Sequence, residues 1–204
     1  MPKTISKLEE AVFIFKKAGG VLSMTEALEK GVHRSILYKL RDQGMLEVLG
    51  RGLYRLKDVE LVYPDFITIS KKIPQGVICL ISALSFHELT LQIPSSIYVA
   101  IPNKLHKPPI GYPPTKYFWY SDKLLKTGAV EYKISGYPVK ISDPEKTLVD
   151  CVKFRNKIGQ DVTLEALKIY WQQKKTHLNK LFEYAKMFRV EKILKSIMEV
   201  ITSR

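Results

Sequence analysis

The hydrophobic and polar positions up to Lys57 predict three short helices followed by a hairpin. The helices are expected at Leu8–Ala18, Ser23–Lys30 and His33–Gln43. The next segment, MLEVLGRGLYRL, has two apolar arms on either side of a Gly-Arg-Gly tip, which predicts a two-stranded hairpin. This order of elements predicts a winged helix-turn-helix over residues 1–60.

Residues with capping preferences mark the same boundaries. Ser23 and Glu26 have the spacing of a capping box, in which the serine oxygen and the glutamate each satisfy a backbone N–H at the start of a helix. Gly31 and Gly44 follow the second and third helical segments, where the chain often needs a positive φ that glycine adopts at little cost. The capping residues therefore agree with the periodicity.

The third helix has one apolar and one polar face. At about 100° per residue, Ile36, Leu37 and Leu40 share one side, and polar residues occupy the other. In a helix-turn-helix the second helix of the motif enters the major groove, and cationic flanking residues contact phosphates. We therefore predict DNA contacts to bases from Arg34 and Ser35, to a base or phosphate from Tyr38, and to the backbone from Lys39, Arg41 and Arg51. The alternatives are an ordinary solvated face and a protein-docking winged helix.

The charge balance favours a polyanionic partner but does not locate the contact. The chain has 33 Lys and Arg against 20 Asp and Glu, a formal net charge of +13. Up to Tyr63 there are 11 basic and 8 acidic residues, a net of +3, so +10 lies in the rest of the chain. Because non-specific affinity for DNA scales with the phosphates neutralised, the C-terminal part could also bind DNA or face an acidic protein.

The composition changes near residue 60, where we expect a second domain over residues 61–204. A short, poor helix is expected between Pro64 and Pro74, and the apolar run VICLISALSFHEL is expected to be mostly a core helix. Segments rich in β-branched and aromatic residues predict one mixed or antiparallel sheet over about 97–141. The predicted strands are Ile97–Ile101, Lys116–Tyr120, Ala129–Ile134 and Val139–Ile141.

The spacing of the apolar residues becomes helical over about 143–202. Either Asp143, followed by Pro144, or Ser142 with Glu145 could cap the first of these helices. Three more helices are expected at Asp161–Gln172, Leu178–Phe188 and Val190–Ile201. The predicted fold class is α+β, with an N-terminal winged helix-turn-helix, a small sheet and a C-terminal helical segment.

The cysteines and the apolar runs predict a cytoplasmic protein. Cys79 and Cys151 both lie in apolar surroundings, which indicates buried free thiols in a reducing compartment, with a disulfide as the alternative. The N-terminus lacks the pattern of a signal peptide, and no apolar run approaches the roughly 20 residues needed to cross a bilayer. We expect no membrane association.

Longer motifs resemble a known family over nearly the whole chain. They are GRGLYRL, GVICLISALSFHELTLQIP, ISDPEKTLVDCVKFRNKIGQDVTLEAL and FEYAKMFRVEKI. The sequence resembles the AbiEi antitoxins of AbiE-type, type IV toxin-antitoxin systems, which act in abortive infection. The two longest motifs are far more specific than the glycine-rich wing, which is common among regulators.

The resemblance implies an antitoxin that represses its own operon by binding inverted repeats in the promoter. The C-terminal domain of such proteins opposes an AbiEii-like nucleotidyltransferase toxin, without the need for a stable complex. The family's DNA-facing positions correspond to Arg34, Ser35, Tyr38, Lys39 and Arg51. Its polar signature near the C-terminal helix corresponds to Lys146, Asp150, Lys153, Arg155, Asn156 and Lys157. Spacing alone would make Lys146, Asp150 and Lys153 a surface ion-pair ladder.

Two other functions remain as alternatives. One is a DNA-binding regulator without a toxin partner. The other is a metal-dependent nuclease, because Asp122 with Glu131 and Lys133 imitates an Asp and Glu-x-Lys constellation. That match is weak, since a Glu-x-Lys triplet is nearly expected by chance in a lysine-rich chain. No phosphate-binding glycine loop or nucleophile motif is present, so we expect no enzymatic activity and no metal or cofactor.

Overall fold

The computed structural model describes residues 6–173 and 176–203. By their contacts the residues form two compact units. Of these residues, the first unit comprises 6–74 together with Pro109–Pro113 and Lys133–Pro138, and the second comprises the other described segments from Gln75 onward. The functional boundary expected near residue 60 stays a prediction.

The first unit begins with the order of elements of a winged helix-turn-helix. These elements are α1 (Lys7–Lys17), β1 (Val21–Ser23), α2 (Met24–Glu29), α3 (Arg34–Asp42), β2 (Leu46–Gly50) and β3 (Leu53–Leu56). The sheet is antiparallel, in the order β1-β3-β2, with Leu22 opposite Tyr54. The predicted helices and hairpin are confirmed, whereas β1 was not predicted because three residues carry too little periodicity.

The boundaries of α2 and α3 have the predicted causes. The Ser23 hydroxyl accepts a hydrogen bond from the Glu26 N–H, and the Glu26 carboxylate accepts one from the Ser23 N–H. Gly44, after α3, has a φ of 73°, a region that other residues adopt only with strain. In the core, Leu37 and Leu40 of α3 are fully buried with Phe15. The apolar face of α3 therefore faces the core, as predicted.

A further helix, α4 (Pro64–Lys72), closes the first unit. The Lys71 ammonium donates to the Glu26 carboxylate at 2.7 Å, so α4 is tied to the start of α2. Burial of Glu26 by itself would raise its pKa, but the hydrogen bonds from Lys71 and Ser23 outweigh this and leave the pKa lowered. The poor helix expected between Pro64 and Pro74 is thus present, and the ion pair between Lys71 and Glu26 holds it against α2.

The second unit combines the mixed sheet with helices. Apart from the end of β7 and the start of β8, which fall within Lys133–Pro138 of the first unit, its elements are β4 (Val77–Ile78), α5 (Leu80–Phe86), β5 (Ile97–Pro102), β6 (Thr115–Tyr120), α6 (Asp122–Lys126), β7 (Ala129–Ile134), β8 (Tyr137–Ser142), α7 (Pro144–Ile158), α8 (Gln160–Gln172), α9 (Leu178–Met187) and α10 (Glu191–Thr202). The strand order is β6-β5-β4-β8-β7; β4 is antiparallel to β5 and parallel to β8, and β5 is parallel to β6. The α+β fold class is confirmed, and β4 and α6 are additions to the predicted elements.

Apolar residues from α5, α7 and the later helices form the core of this unit. Cys79 and Cys151 are both buried and unbonded within it, and burial raises the pKa of both thiols well above the ordinary value. The prediction of buried free thiols is confirmed. In the described part of the chain, no helix is long and apolar enough to span a bilayer.

Tyr137, in the first unit, gives a stability test. Its hydroxyl accepts a hydrogen bond from the Val21 N–H at 2.7 Å and donates to the Ala18 carbonyl at 2.7 Å. Tyr137→Phe leaves a buried N–H without its acceptor, so we expect the free energy of unfolding to fall by about 1–3 kcal/mol. Urea unfolding followed by circular dichroism measures this. Tyr38→Phe, at an exposed ring, should change the value by less than about 0.5 kcal/mol, and equal losses in both variants would contradict the assignment.

Candidate nucleic-acid interface

The polar face of α3 is open to solvent. All six residues predicted to contact DNA are exposed: Arg34, Ser35, Tyr38, Lys39 and Arg41 on α3, and Arg51 at the tip between β2 and β3. The helix begins after His33, whose side chain makes no capping hydrogen bond. The exposure that the sequence predicted for these positions is therefore present, while their contact with DNA stays a prediction.

Several cations in the first unit are engaged in ion pairs. Lys16 pairs with Asp58, Arg55 with Glu47 and Lys71 with Glu26. By contrast, Arg34, Lys39 and Arg51 have no acidic partner within residues 6–173 and 176–203. The charges available to an anion therefore include one at the start of α3, one in its middle and one at the wing.

Arg41 differs from these three cations because it is already bonded. Its Nε and Nη2 donate to Asp42 Oδ1 at 2.9 and 2.8 Å. Its guanidinium carbon also lies 5.0 Å from the centroid of the Tyr38 ring. The hydrogen bond to Asp42 raises the pKa of Arg41 still further, so this group is a permanent cation.

The wing receives support from α4. The Lys72 ammonium donates to the Arg51 carbonyl at 3.4 Å, and a Cβ added at Gly50 would lie 2.8 Å from that ammonium. Gly52 has a φ of 70°, which the tight turn at the tip requires. Lys72 is a cation beside the wing that sequence reasoning did not identify, because α4 lies outside the predicted winged helix.

The candidate antitoxin residues on α7 do not share one environment. Lys146 and Asp150 are only 1% and 0% exposed. Lys153 and Arg155 are half-buried, and Asn156 and Lys157 are exposed. The interpretation of Lys146 and Asp150 as part of a surface is wrong. The reason is that the face opposite the apolar one is also covered, since the rings of Tyr120 and Phe188 lie 4.7 and 5.2 Å from the Lys146 ammonium.

Lys146 and Asp150 form a buried ion pair within α7. Burial raises the pKa of Asp150 even though Lys146 acts in the opposite direction. This pair can therefore affect the stability of the helix, but neither residue can touch a partner protein directly.

A second polar cluster surrounds the start of α7. Asp143 is the N-cap, and its Oδ1 accepts from the Lys146 N–H at 2.8 Å. Lys180 of α9 donates to Asp143 at 2.9 Å and to Glu145 at 3.2 Å. Burial disfavours the charged amine, but the hydrogen bond to Asp143 raises the pKa of Lys180 overall. Sequence reasoning missed this cluster, because nothing in the local pattern brings α9 to the start of α7.

The nuclease constellation is only partly assembled. Asp122 and Glu131 both line a cleft of about 560 Å³, together with Lys126 and Lys140. Lys133, the third member of the predicted constellation, is not among the lining residues. No group of three or more His, Cys, Asp and Glu side chains within the described residues could hold a metal ion. Two of the three residues of the predicted constellation therefore line one cleft, and the third does not.

The first unit has the order of elements of a winged helix, with exposed cations on α3 and at the tip between β2 and β3. Residues 9–57, which span α1 to β3, match a family model described as a transcriptional regulator, AbiEi antitoxin. This match confirms the resemblance over about a quarter of the chain. No curated protein matches the sequence.

Proposed function

We propose that the protein is an antitoxin and transcriptional autorepressor. It binds inverted repeats in its own promoter through α3 and the wing, and it counteracts a nucleotidyltransferase-like toxin through its C-terminal domain, acting in the cytoplasm without a cofactor. The observation that carries the DNA-binding half is the exposed set Arg34, Lys39 and Arg51, which have no acidic partner among the described residues. The family match covers the same part of the chain.

The proposed roles follow from position on the helix. Arg34 and Ser35 lie in the first turn of α3, which in a helix-turn-helix approaches the base edges. Lys39 lies to the side of this face, and Arg51 lies at the wing tip, so both suit phosphate oxygens. Tyr38, one turn after Arg34, contacts a base or a phosphate.

Substitution of Arg34 and Lys39 tests these roles. Arg34→Ala should reduce discrimination between the promoter and a scrambled duplex by about 1–3 kcal/mol, because base-edge hydrogen bonds are lost. Lys39→Ala should weaken binding to both duplexes and reduce the slope of log K against log salt by about 1. Gel-shift titrations of the DNA upstream of the gene at two or more salt concentrations measure both effects.

Lys17→Ala provides the control. Lys17 is an exposed lysine at the end of α1, outside the proposed DNA-facing surface. Its replacement should leave both the discrimination and the salt slope close to those of the wild type. If Arg34→Ala and Lys39→Ala weaken binding to promoter and scrambled DNA equally, the assigned division between base and phosphate contacts is wrong.

The toxin-neutralising half rests on the resemblance of the C-terminal motifs. We place it in residues 61–204, with the partly or fully exposed Lys153, Arg155, Asn156 and Lys157 as its contact residues. Such a cationic surface suits the acidic metal-binding site that a nucleotidyltransferase needs for catalysis. The proposal requires functional antagonism of the toxin and not a stable complex. The alternative, a regulator without a toxin partner, predicts that these residues have no effect on survival of toxin-expressing cells.

A further inference from the structure

The guanidinium of Arg41 is held by two neighbours on α3. Asp42 accepts hydrogen bonds from its Nε and Nη2, and the Tyr38 ring lies 5.0 Å from its central carbon. The side chains remain in contact with solvent, with exposed fractions of 45% for Arg41 and 65% for Asp42. Arg41 is therefore oriented before any partner arrives, which distinguishes it from Arg34 and Arg51.

The outer edge of this guanidinium still carries hydrogen-bond donors. An arginine has five N–H groups in a planar fork. Asp42 accepts from Nε and Nη2, which together form one side of the guanidinium. No other hydrogen bond of Arg41 occurs in the part of the chain that the structure describes. The parallel N–H groups at the tip fit either two phosphate oxygens or the O6 and N7 atoms of guanine.

The presence of Asp42 favours guanine over phosphate. A carboxylate next to an arginine repels an approaching phosphate, whereas the guanine edge is an uncharged acceptor and avoids most of this penalty. The same carboxylate fixes the fork and so reduces the side-chain entropy that a base contact would otherwise cost. Arg41 also follows Arg34 by seven positions and Tyr38 by three, which places all three on one face of α3.

We infer that Arg41 is a base-reading residue that recognises a guanine in the major groove, and that Asp42 is its positioning residue. This inference rests on the proposed DNA-binding function and replaces the backbone role that the sequence suggested for Arg41. It predicts that removing the Asp42 carboxylate from a DNA-facing surface relaxes the sequence preference without weakening general DNA binding.

Selection from a random duplex library tests the inference. The full-length wild type, Arg41→Lys and Asp42→Ala are each used to enrich duplexes with a randomised centre, and the bound pools are sequenced. We expect the wild type to select a motif with guanine at a position that Arg41→Lys and Asp42→Ala weaken by about tenfold, the scale of one bidentate arginine contact. Asp42→Ala should bind the unselected library at least as tightly as the wild type, because a negative charge has been removed.

Asp58→Ala is the matched control. Asp58 is an exposed acidic residue outside α3 that pairs with Lys16 of α1 at 3.0 Å. Its replacement by alanine makes the same change of charge as Asp42→Ala. It should leave the selected motif unchanged. Thermal unfolding of each variant, followed by circular dichroism, should coincide with that of the wild type.

The outcomes separate this inference from the function on which it rests. If the wild type selects a motif and both α3 variants select the same motif with the same strength, Arg41 contacts only the backbone and the inference is overturned alone. If Asp42→Ala weakens binding to all duplexes, its role is structural and the inference is also overturned. If the wild type enriches no motif, the proposed sequence-specific binding fails as well.

Discussion

Replacing Lys146 with methionine should lower the free energy of unfolding by about 3–5 kcal/mol, because it leaves the buried Asp150 carboxylate without its counter-ion. Both side chains are buried inside the second unit. The substitution also removes the contacts of the lysine ammonium with the Tyr120 and Phe188 rings. Urea unfolding at neutral pH measures the loss. The double variant Lys146→Met with Asp150→Leu should recover much of it, since an apolar pair of similar volume needs no charge compensation.

The loss should depend on pH in a definite direction. Burial raises the pKa of Asp150 in the folded protein, and removal of Lys146 raises it further. A carboxyl group whose pKa is higher in the folded state favours folding when protonated, and this contribution disappears as the pH rises through the folded value. The difference between Lys146→Met and the wild type should therefore shrink as the pH falls from neutrality toward about 4.5.

Lys195→Met is the matched control for the buried pair. Lys195 and Glu191 have the same i, i+4 spacing, with 2.9 Å between their charged atoms, but they lie at the surface. Loss of that exposed pair should cost less than about 0.5 kcal/mol. If Lys146→Met costs no more than Lys195→Met, burial of the first pair has no energetic consequence and the interpretation fails.

The contrast between α3 and α7 shows how far periodicity predicts environment. In both helices the apolar side was predicted from sequence, and in both it is buried. The opposite side of α3 is exposed, whereas that of α7 is covered by Tyr120 and Phe188. A helical period shows that two faces differ, but it does not show what packs on the polar one, because the covering residues come from distant positions in the chain.

The candidate interface was predicted where local rules suffice. Ser23 and Glu26 form the expected capping box, and the phase of α3 exposes Arg34 and Lys39. The contact of Lys72 with the Arg51 carbonyl depends on where α4 packs, and so no local pattern indicated it. The pairing of Arg41 with Asp42 joins adjacent residues, yet it depends on side-chain rotamers that a sequence does not specify.

Reversing the charge at Lys153, Arg155 and Lys157 should abolish protection against the toxin. These residues lie in the later part of α7, where their side chains are at least partly exposed. If they face an acidic site on the toxin, substitution by glutamate removes the attraction and adds repulsion of several kcal/mol. The assay expresses an AbiEii-like nucleotidyltransferase toxin from an inducible promoter, with the wild type or the variant supplied in trans. Cells carrying the variant should stop forming colonies after induction.

A second triple variant separates position from total charge. Lys168, Lys186 and Lys192 are exposed on α8, α9 and α10, and their replacement by glutamate makes the same change in net charge. This control should preserve protection, because the antagonism depends on the end of α7 and not on the overall excess of cations. Circular dichroism must show that both proteins are folded, and gel shifts on the promoter should show that both still bind through α3.

If both triple variants protect cells, the end of α7 does not contact the toxin. If the α7 variant instead loses promoter binding, those cations serve DNA, and the division between a DNA-binding winged helix and a toxin-facing helix is wrong.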